Sequence, residues 1–484
     1  MKESACHDHQ HSPNRFAVVP TQVRLDADPN YLGKGVTIAF LDSGFYPHPD
    51  LLEPESRILA YRDLAEERPS LSADDPVESW QWHGTQTSVV ATGNGRLSDG
   101  VYCGLASEAQ LVLVKASHQG RITEENIARG IEWVIENRER YNIRVLNISL
   151  GGDEDVACSR SIINQAAEEV INLGVVVVAA AGNSGADGKH SIPPANSPSV
   201  VTVGGYDDKN DLDPETIDLY HSSFGPTADG TVKPEVIAPA MWVAAPILPG
   251  TGLYEKAEAL SRILAAPDYE LSKQARELAA RADLPATLLI AGPAAIRAFL
   301  ESVLSEEKII AAHYLHVDGT SFAAPIVSSI VAQMIEANPS LTPTTIKNIL
   351  ISTADRIANA SVVRQGYGVV DARQAVSLAK SEMHQLETFG CGPPRIENGK
   401  VLFFFHDDHA VSISLACDFH GWDGNRTRLQ KDEHGLWRAG IAAPPAGRYY
   451  YKFIVNQERW VEDPNNGMKA PDNCGGLNSV LVIK

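Results

Sequence analysis

Four residues of this chain are of types that do chemistry together. Asp42 ends the apolar run VTIAFL and precedes Ser43 and Gly44; His83 lies in WHGTQTS; Ser321 lies in DGTSFAAP, at the head of an apolar stretch; Asn183 lies in AAAGNSG, after VVVV. A serine hydroxyl attacks a carbonyl only when a base takes its proton, and an imidazole base needs a carboxylate to fix its tautomer. The tetrahedral species that follows carries an oxyanion, which an amide donor such as that of Asn183 stabilises. Asp, His and Ser in that chain order are one of three known orders for such a triad. Taken singly, each has a plain structural role. Asp-Ser-Gly after a strand is most often a turn, His83 alone reads as a hydrogen-bonded structural histidine, and AGNSG alone as a glycine turn. Their joint occurrence beside suitable elements of one pattern points to nucleophilic acyl transfer.

Such a set needs a scaffold that brings distant residues to one place. VTIAF (36–40), LVLVK (111–115), RVLNISL (144–150), VVVVAA (175–180) and VVTV (200–203) read as strands. Their near-continuous apolarity predicts burial on both faces, as in a parallel sheet. Ile127, Ile131, Val134 and Ile135 fall on one helix face, and Ile162, Ile163, Ala166, Val170 and Ile171 on another, with Gly174 placed to end that helix. This β-α-β order predicts an α/β domain, a doubly wound and mostly parallel sheet with its site at the carboxyl ends of the strands.

Residues 254–314 change character. They are rich in Ala, Leu, Glu and Arg and predict a helical insertion of two to four helices. The α/β pattern then resumes with the apolar helix TSFAAPIVSSIVAQMIEAN and with TPTTIKNILI, where Thr342 is an N-cap and Pro343 the first helical residue. Residues 381–396, around GCGPPRIENG, read as a linker between a catalytic domain over 16–380 and a second domain over 397–484. In that second domain the period becomes two. Val411, Ile413, Leu415, Cys417 and Phe419, and then Tyr449, Tyr451, Phe453 and Val455, alternate with polar or small residues and predict an all-β, immunoglobulin-like sandwich.

The 484 residues suit one large domain and one small one, and 44% hydrophobic with 21% charged residues is a globular composition. A formal net charge of −20 argues against nucleic acid and against anionic membranes as partners. The first 15 residues read as a polar disordered segment without the apolar core of a secretory signal, and no run of roughly 18 apolar residues predicts a membrane helix. Cys6, His7, His9 and His11 read as part of that polar terminus rather than as a metal site. Six scattered cysteines without a CxxC spacing fit reduced thiols in a cytoplasm, although Cys391 and Cys474 could pair in an oxidising compartment.

LDSGFYPHPDL, HGT, NISLGG, AAAGNSG, HSSFGPTADGTVKPEVIAP and GTSFAAP occur in order over residues 16–380, the insertion apart, and resemble the subtilisin-like serine proteases. The resemblance implies Asp42 as orienting acid, His83 as general base, Ser321 as nucleophile, and Asn183 with the Ser321 N–H as oxyanion donors. It implies that Ser149, Leu150 and Gly151 form an edge strand pairing with an extended peptide. Gly151 with Ala180, Ala181 and Gly182 would line the pocket for the residue before the cleaved bond, favouring large apolar side chains. The chain departs from the family at Gln86, usually histidine, and Ala240, usually glycine. Asp50 matches a frequent calcium ligand, but loop 93–104 lacks the usual ligand series, so neither a metal site nor any cofactor is expected. The short stretch before the first strand is like the intracellular branch of the family. RFAVVP (15–20) is either an inhibitory segment across the cleft or a packed arm, and the insertion either a cleft cap or a peripheral decoration.

In the tail, VSISLACDFHGWDG, GRYYYKFIVNQERWVEDPNN and LNSVLVIK resemble the glycogen-binding module of the AMP-activated kinase beta subunit and the N-terminal sandwich of branching and debranching enzymes. Sugar rings stack their apolar faces on indoles and need polar partners for their hydroxyls. By resemblance, Trp422 and Trp460 would be the stacking platforms, and Lys452 and Asn478 the hydroxyl partners of an α-glucan. Cys474 stands where such modules usually carry an apolar residue pressing on the sugar. The expectation is an intracellular serine endopeptidase acting on peptide or protein substrates. A processing protease dedicated to one partner peptide and a catalytically silent glucan-binding scaffold are the alternatives.

Overall fold

The computed structural model describes residues 17–65, 71–118, 120–185, 190–389, 393–397, 399–407, 409–432, 435–466, 469–472 and 477–483. Cys6, His7, His9, His11, Arg15, Phe16, Cys391 and Cys474 lie outside them, and with them the readings made of the histidine cluster, the cysteine pair and the sugar-side Cys474. The chain divides into two compact units, Met1–Glu336 with Thr353–Arg373, and Ala337–Ser352 with Gln374–Lys484.

The first unit is built on β1 (Thr37–Asp42), β2 (Ile58–Asp63), β3 (Gln110–Lys115), β4 (Ile143–Ile148), β5 (Val176–Ala180), β6 (Val201–Asp207) and β7 (Val236–Pro239). They lie in the order β7-β6-β5-β4-β1-β3-β2, all parallel, with a two-residue antiparallel strand, Asp218–Leu219, beside β6. The chain winds one way from β1 to β2 and β3, and the other way from β4 onward, so the order reverses beside β1. In such sheets the crevice opens at that reversal, beyond the carboxyl ends of the strands. Asp42 is the last residue of β1.

Helices α1 (Gln81–Thr92), α2 (Glu124–Asn137) and α3 (Ile162–Asn172) follow the expected periodicity. Ile127, Ile131, Val134, Ile163, Ala166, Val170 and Ile171 enter one apolar core with the strands, and Ile135 packs on its margin. Ile162 does not join them; it is 49% exposed. It is the first residue after the Ser161 cap.

β8 (Val243–Pro246) and β10 (Tyr314–Val317) pair antiparallel, Val243 opposite Val317 and Pro246 opposite Tyr314, with β9 (Ile309–Ala311) on the outer side of β10. The insertion therefore leaves and re-enters through a two-stranded root. It holds α4 (Gly252–Ala265), α5 (Asp268–Leu278) and α6 (Pro293–Glu306), capped at α4 by Thr251, which accepts from Tyr254 N at 3.3 Å. Leu260, Ile263, Leu271, Ala275, Ile296 and Leu300 form a core of its own. α7 (Thr320–Ala337) follows the root; it is apolar and long enough to cross a membrane by composition, but 89% of it is buried inside the fold.

Residues 17–24 are a packed arm. Val18 and Val19 are buried, Val19 N donates to Asn210 Oδ1 at 2.8 Å, and Arg24 pairs with Asp208 at 3.1 Å while donating to the Met241 and Trp242 carbonyls. Among the described residues these partners include none of residues 149–151 or 180–182.

In the second unit α8 (Pro343–Ser352) is capped by Thr342, which accepts from Thr345 N at 3.2 Å. α9 (Ala372–Phe389) continues well into the stretch expected to be a linker. The β-region has two main ladders. One pairs β11 (Lys400–His406) with β13 (Leu436–Ala442); the other sets β14 (Gly447–Val455) between β12 (Ile413–Cys417) and β16 (Leu477–Ile483), with β15 (Arg459–Val461) also on β14. Ile413, Leu415, Cys417, Tyr451, Phe453 and Val455 fill the core between them, as alternation predicts. Val411 does not; it precedes β12 and is 84% exposed.

The root of the insertion is pinned to the short helix Pro49–Leu52 by a buried contact. Tyr314 Oη donates to Asp50 Oδ2 at 2.5 Å, and Leu97 N donates to Asp50 Oδ1 at 3.1 Å, so protein donors engage both oxygens of this fully buried carboxylate. Replacing Tyr314 by Phe leaves one oxygen unsatisfied; stability falls by about 1.5–3 kcal/mol, read from urea unfolding.

Candidate active site

Asp42 and His83 meet where β1 ends and α1 begins. His83 Nδ1 is 2.7 Å from Asp42 Oδ1, while Ser43 N and Thr87 Oγ1 donate to the same carboxylate at 2.6 and 3.0 Å. The approach is close enough that Gly84 is required. A Cβ there would stand 2.2 Å from the Gly44 carbonyl oxygen and 3.0 Å from Asp42 Cβ. Lys115 is the register partner of Asp42 on β3, yet its ammonium pairs with Asp63 at 2.8 Å. Burial pulls the His83 pKa down, but the Asp42 charge and hydrogen bond outweigh it and leave the imidazole above its ordinary value.

Ser321 stands in the first turn of α7. Pro325, four residues on, has no N–H, so the Ser321 carbonyl lacks its helical donor. Ser149, just beyond β4, supplies the missing bond: its Oγ donates to Ser321 O at 3.0 Å. In return Ser321 Oγ donates to Ser149 O at 3.4 Å. Among the described residues no hydrogen bond joins Ser321 to His83, and the hydroxyl would have to turn from Ser149 to meet the imidazole. Apo sites commonly show such loose geometry. The Phe322 ring, next along the helix, lies 5.9 Å from that of His83.

Asn183 is oriented by what it can accept. Thr320 N and Thr320 Oγ1 both approach its side chain at 3.0 Å. A backbone N–H only donates, so the atom it meets is the amide oxygen, and the NH2 group is left to point elsewhere. That group lies 3.6 Å from the Cβ position of Gly319, beside the serine turn. Thr320 Oγ1 also accepts from Gly182 N at 3.1 Å, closing the network.

Ser149, Leu150 and Gly151 follow β4 and belong to no ladder among the described residues, so their backbone is available to another strand. Gly151 faces Ile192 and the Pro193 carbonyl, either of which a Cβ would meet at 3.0–3.2 Å. Ala180 and Gly182 are half-buried and Ala181 buried at the end of β5. Gln86, where the family usually has histidine, donates to the Pro246 carbonyl at 3.0 Å. Sequence reasoning missed Thr87, Thr320 and the pair Asn147 and Ser328. Asn147 Nδ2 donates to Ser149 Oγ at 3.1 Å and Asn147 Oδ1 accepts from Ser328 Oγ at 2.9 Å. The signal for Ser328 was legible in principle, since it lies seven residues, two helical turns, after Ser321.

Three of the predicted sugar residues, Lys452, Trp460 and Asn478, share one face of the sheet around β14. Along β14, Tyr451 and Phe453 are buried, so Lys452 and Ile454 point outward. Trp460 is directly opposite Ile454 and largely exposed. The pairing of Tyr451 with Ser479, carried one step on, sets Asn478 beside Lys452. Residues 418–427 fold over this face. Gly424 sits so near Ile454 that a Cβ would be 2.2 Å from its Cδ1, and Trp422, at φ 60°, is held by donating its N–H to Cys417 O at 2.8 Å. A tryptophan in the left-handed region is costly and rare. Lys452 is paired with Asp472 at 2.6 Å, a partner the sequence did not suggest. Asp463 of the Asp-Pro motif is an internal pin instead, accepting from Tyr451 Oη at 2.6 Å.

The first unit is thus a doubly wound α/β domain that sets an Asp–His pair, a serine and an asparagine amide beyond the carboxyl ends of its strands. The chain belongs to the subtilase family, whose model matches residues 33–368, well over half of its length. Residues 388–466 match carbohydrate-binding module 48, the isoamylase N-terminal domain. That match takes in Trp422, Lys452 and Trp460 but not Asn478. Serine protease AprX of Bacillus subtilis is 31% identical over 353 residues, 71% of this chain and 66% of that protein. Subtilisin E of the same organism is 34% identical over 186 residues, 37% of this chain and 43% of that protein. The matches thus span less than two thirds of these relatives. Among solved structures, the Clostridium perfringens CspB protease superposes with a TM-score of 0.53 at 16% identity, covering 73% of this chain and 96% of that one. Fervidolysin from Fervidobacterium pennivorans, a keratinolytic enzyme related to subtilisin, gives 0.50 at 19%, covering 90% and 55%. At such identities these two show the fold alone.

The contact between Ser149 and Ser321 has a measurable consequence. Ser149→Ala leaves the Ser321 carbonyl without a donor, and stability to denaturant falls by about 1–3 kcal/mol. Ser328→Ala, one step removed, is the milder variant.

Proposed function

We propose that this chain is a serine endopeptidase. The scissile carbonyl lies against Ser321, whose Oγ attacks as its proton passes to His83 Nε2. Asp42 holds the imidazole by Nδ1 and stabilises the imidazolium. The oxyanion is received by Asn183 Nδ2 and the Ser321 N–H. His83 then gives its proton to the leaving amine, and water cleaves the resulting acyl-enzyme by the same steps. Ser149, Leu150 and Gly151 pair with the acyl side of the peptide, while Gly151 with residues 180–182 lodges its last side chain, with room for a large apolar one. The observation that carries this reading is the 2.7 Å contact of His83 with Asp42, set beside an Asn183 whose oxygen is tied to Thr320 so that only its amino group is on offer. Cys158 and Cys417 form no disulfide, which supports work in a reducing compartment such as the cytoplasm.

Labelling by a fluorophosphonate probe, abolished in Ser321→Ala, is the direct test; a folded wild type that does not label is instead a silent scaffold. Asn183→Ala is expected to lower kcat by roughly 10²–10³-fold. The pH profile gives a second check. The base works only when neutral, and its pKa is raised, so kcat/KM falls as pH drops through a value above the ordinary 6.5 of histidine. Asp42→Asn removes the charge that raises it. The acid limb then moves to lower pH, while the plateau drops by about 10⁴-fold.

We infer further that the C-terminal sandwich binds α-glucan, so that the peptidase is carried to a polysaccharide. Trp460, Lys452 and Asn478 on one face of the sheet, with the turn of Trp422 beside it, support this. Retardation in a glycogen-containing native gel is expected, weakened at least about tenfold in Trp422→Ala, as for loss of an aromatic anchor. Equal migration with and without glycogen sinks the idea.

A further inference from the structure

In WHGTQTS the residue before His83 has no part in the mechanism above. Trp82 is nevertheless 46% exposed, and its indole stands edge-on to the His83 ring, with centroids 5.2 Å apart and planes at 89°. The other ring against His83, Phe322, is 4% exposed and belongs to the core. Half-exposed indoles are the side chains that gain most from being covered by a ligand. This one is left 46% exposed at the edge of the His83 ring.

The neighbours of Trp82 identify which half of a substrate it meets. One helical turn on, Gln86 donates to the Pro246 carbonyl at 3.0 Å. Just before the helix, Val77 lies against Gly250, whose Cβ position is 3.0 Å from Val77 Cγ2. Residues 77–86 thus run along residues 246–250, the root of the insertion. The elements assigned to the acyl half of the peptide come from elsewhere, the ends of β4 and β5. The leaving amine must lie against His83 to receive its proton, and Trp82, on the helix whose Gln86 holds the insertion root, flanks that ring.

We propose that Trp82 is a specificity-determining residue that forms, with the insertion root, a subsite for an aromatic or large apolar residue immediately after the cleaved bond. The proposal rests on the reading of the chain as a peptidase that forms an acyl-enzyme. Its consequence is that the insertion shapes selection on the leaving-group side without covering the acyl side.

Acyl transfer tests the subsite directly. The full chain is given a peptide ester in the presence of phenylalanine amide or alanine amide. The amine nitrogen attacks the acyl-enzyme carbonyl, its proton passes to His83, and Ser321 Oγ departs as the amide bond forms. The ratio of aminolysis to hydrolysis products, read by chromatography, measures amine binding at the leaving-group site and does not depend on the amount of folded enzyme. The wild type is expected to prefer phenylalanine amide by about tenfold or more, the discrimination one apolar pocket supplies. Trp82→Phe should retain most of that preference, and Trp82→Leu and Trp82→Ala should lose it stepwise. The graded series keeps the test valid if one member fails to fold. An unchanged preference in the variants, or none in the wild type, overturns the subsite while leaving the peptidase intact. Absence of both ester turnover and fluorophosphonate labelling in the wild type overturns the peptidase reading, and the subsite with it.

Discussion

The site depends on a carbonyl that its own helix cannot satisfy. Pro325 deprives Ser321 O of a donor, and a buried carbonyl left alone costs about 1–3 kcal/mol. Ser149 Oγ meets that need from the end of β4, 172 residues away in sequence. Ser149 is in turn bonded by Asn147, which accepts from Ser328 two turns down the same helix. Apolar burial sets how deep α7 lies, because nearly every residue of it is inside. Hydrophobic contact is non-directional, however, and would leave the helix free to rotate or slide. The polar bonds to Asn147 and Ser149 fix that rotation, and with it the place where Ser321 emerges.

The same logic arranges charge. Asp42 is buried at the switch point with donors on both oxygens, and the nearest cation on the ladder, Lys115, is drawn to Asp63. Had Lys115 turned to Asp42, the carboxylate would have lost much of its pull on His83. Thr320 orients the amide of Asn183 by two bonds and accepts one from Gly182, so a single small residue ties that amide to the serine turn. The insertion is anchored just as locally. It grows from a short antiparallel root that Tyr314 pins to Asp50, and the rest of it is held by its own apolar core.

In the second unit a sheet turns one set of residues into its core and the other to the opposite face, which residues 418–427 partly cover. Tyr451 and Phe453 build the core, with Asp463 and Asn466 satisfying the tyrosine hydroxyl. Lys452 and Ile454 are thereby turned out, toward Trp460 and the loop that presents Trp422. The motif residues thus separate by physical role. The aspartate of Asp-Pro serves the fold, whereas Trp460 stays about half exposed.

What the sequence determined by itself is what short-range periodicity and chain order encode. The parallel strands, α2, α3, the cap at Thr342, the helical insertion and the alternating strands were all legible, because period and capping chemistry act over a few residues. So was the set Asp42, His83, Ser321 and Asn183, since each follows or opens an element whose end must face the crevice. Misreadings fell where packing overrides pattern: Ile162 and Val411 lie at or beyond element ends, and α9 runs on through a stretch that local composition marks as linker. Tertiary structure alone decided the partners. That Ser149 replaces the donor Pro325 lacks, that Lys115 goes to Asp63, that Lys452 meets Asp472 and that Trp82 stands exposed beside His83 depend on contacts between residues of separate elements. Such contacts exist only once those elements are packed, and no local period records them.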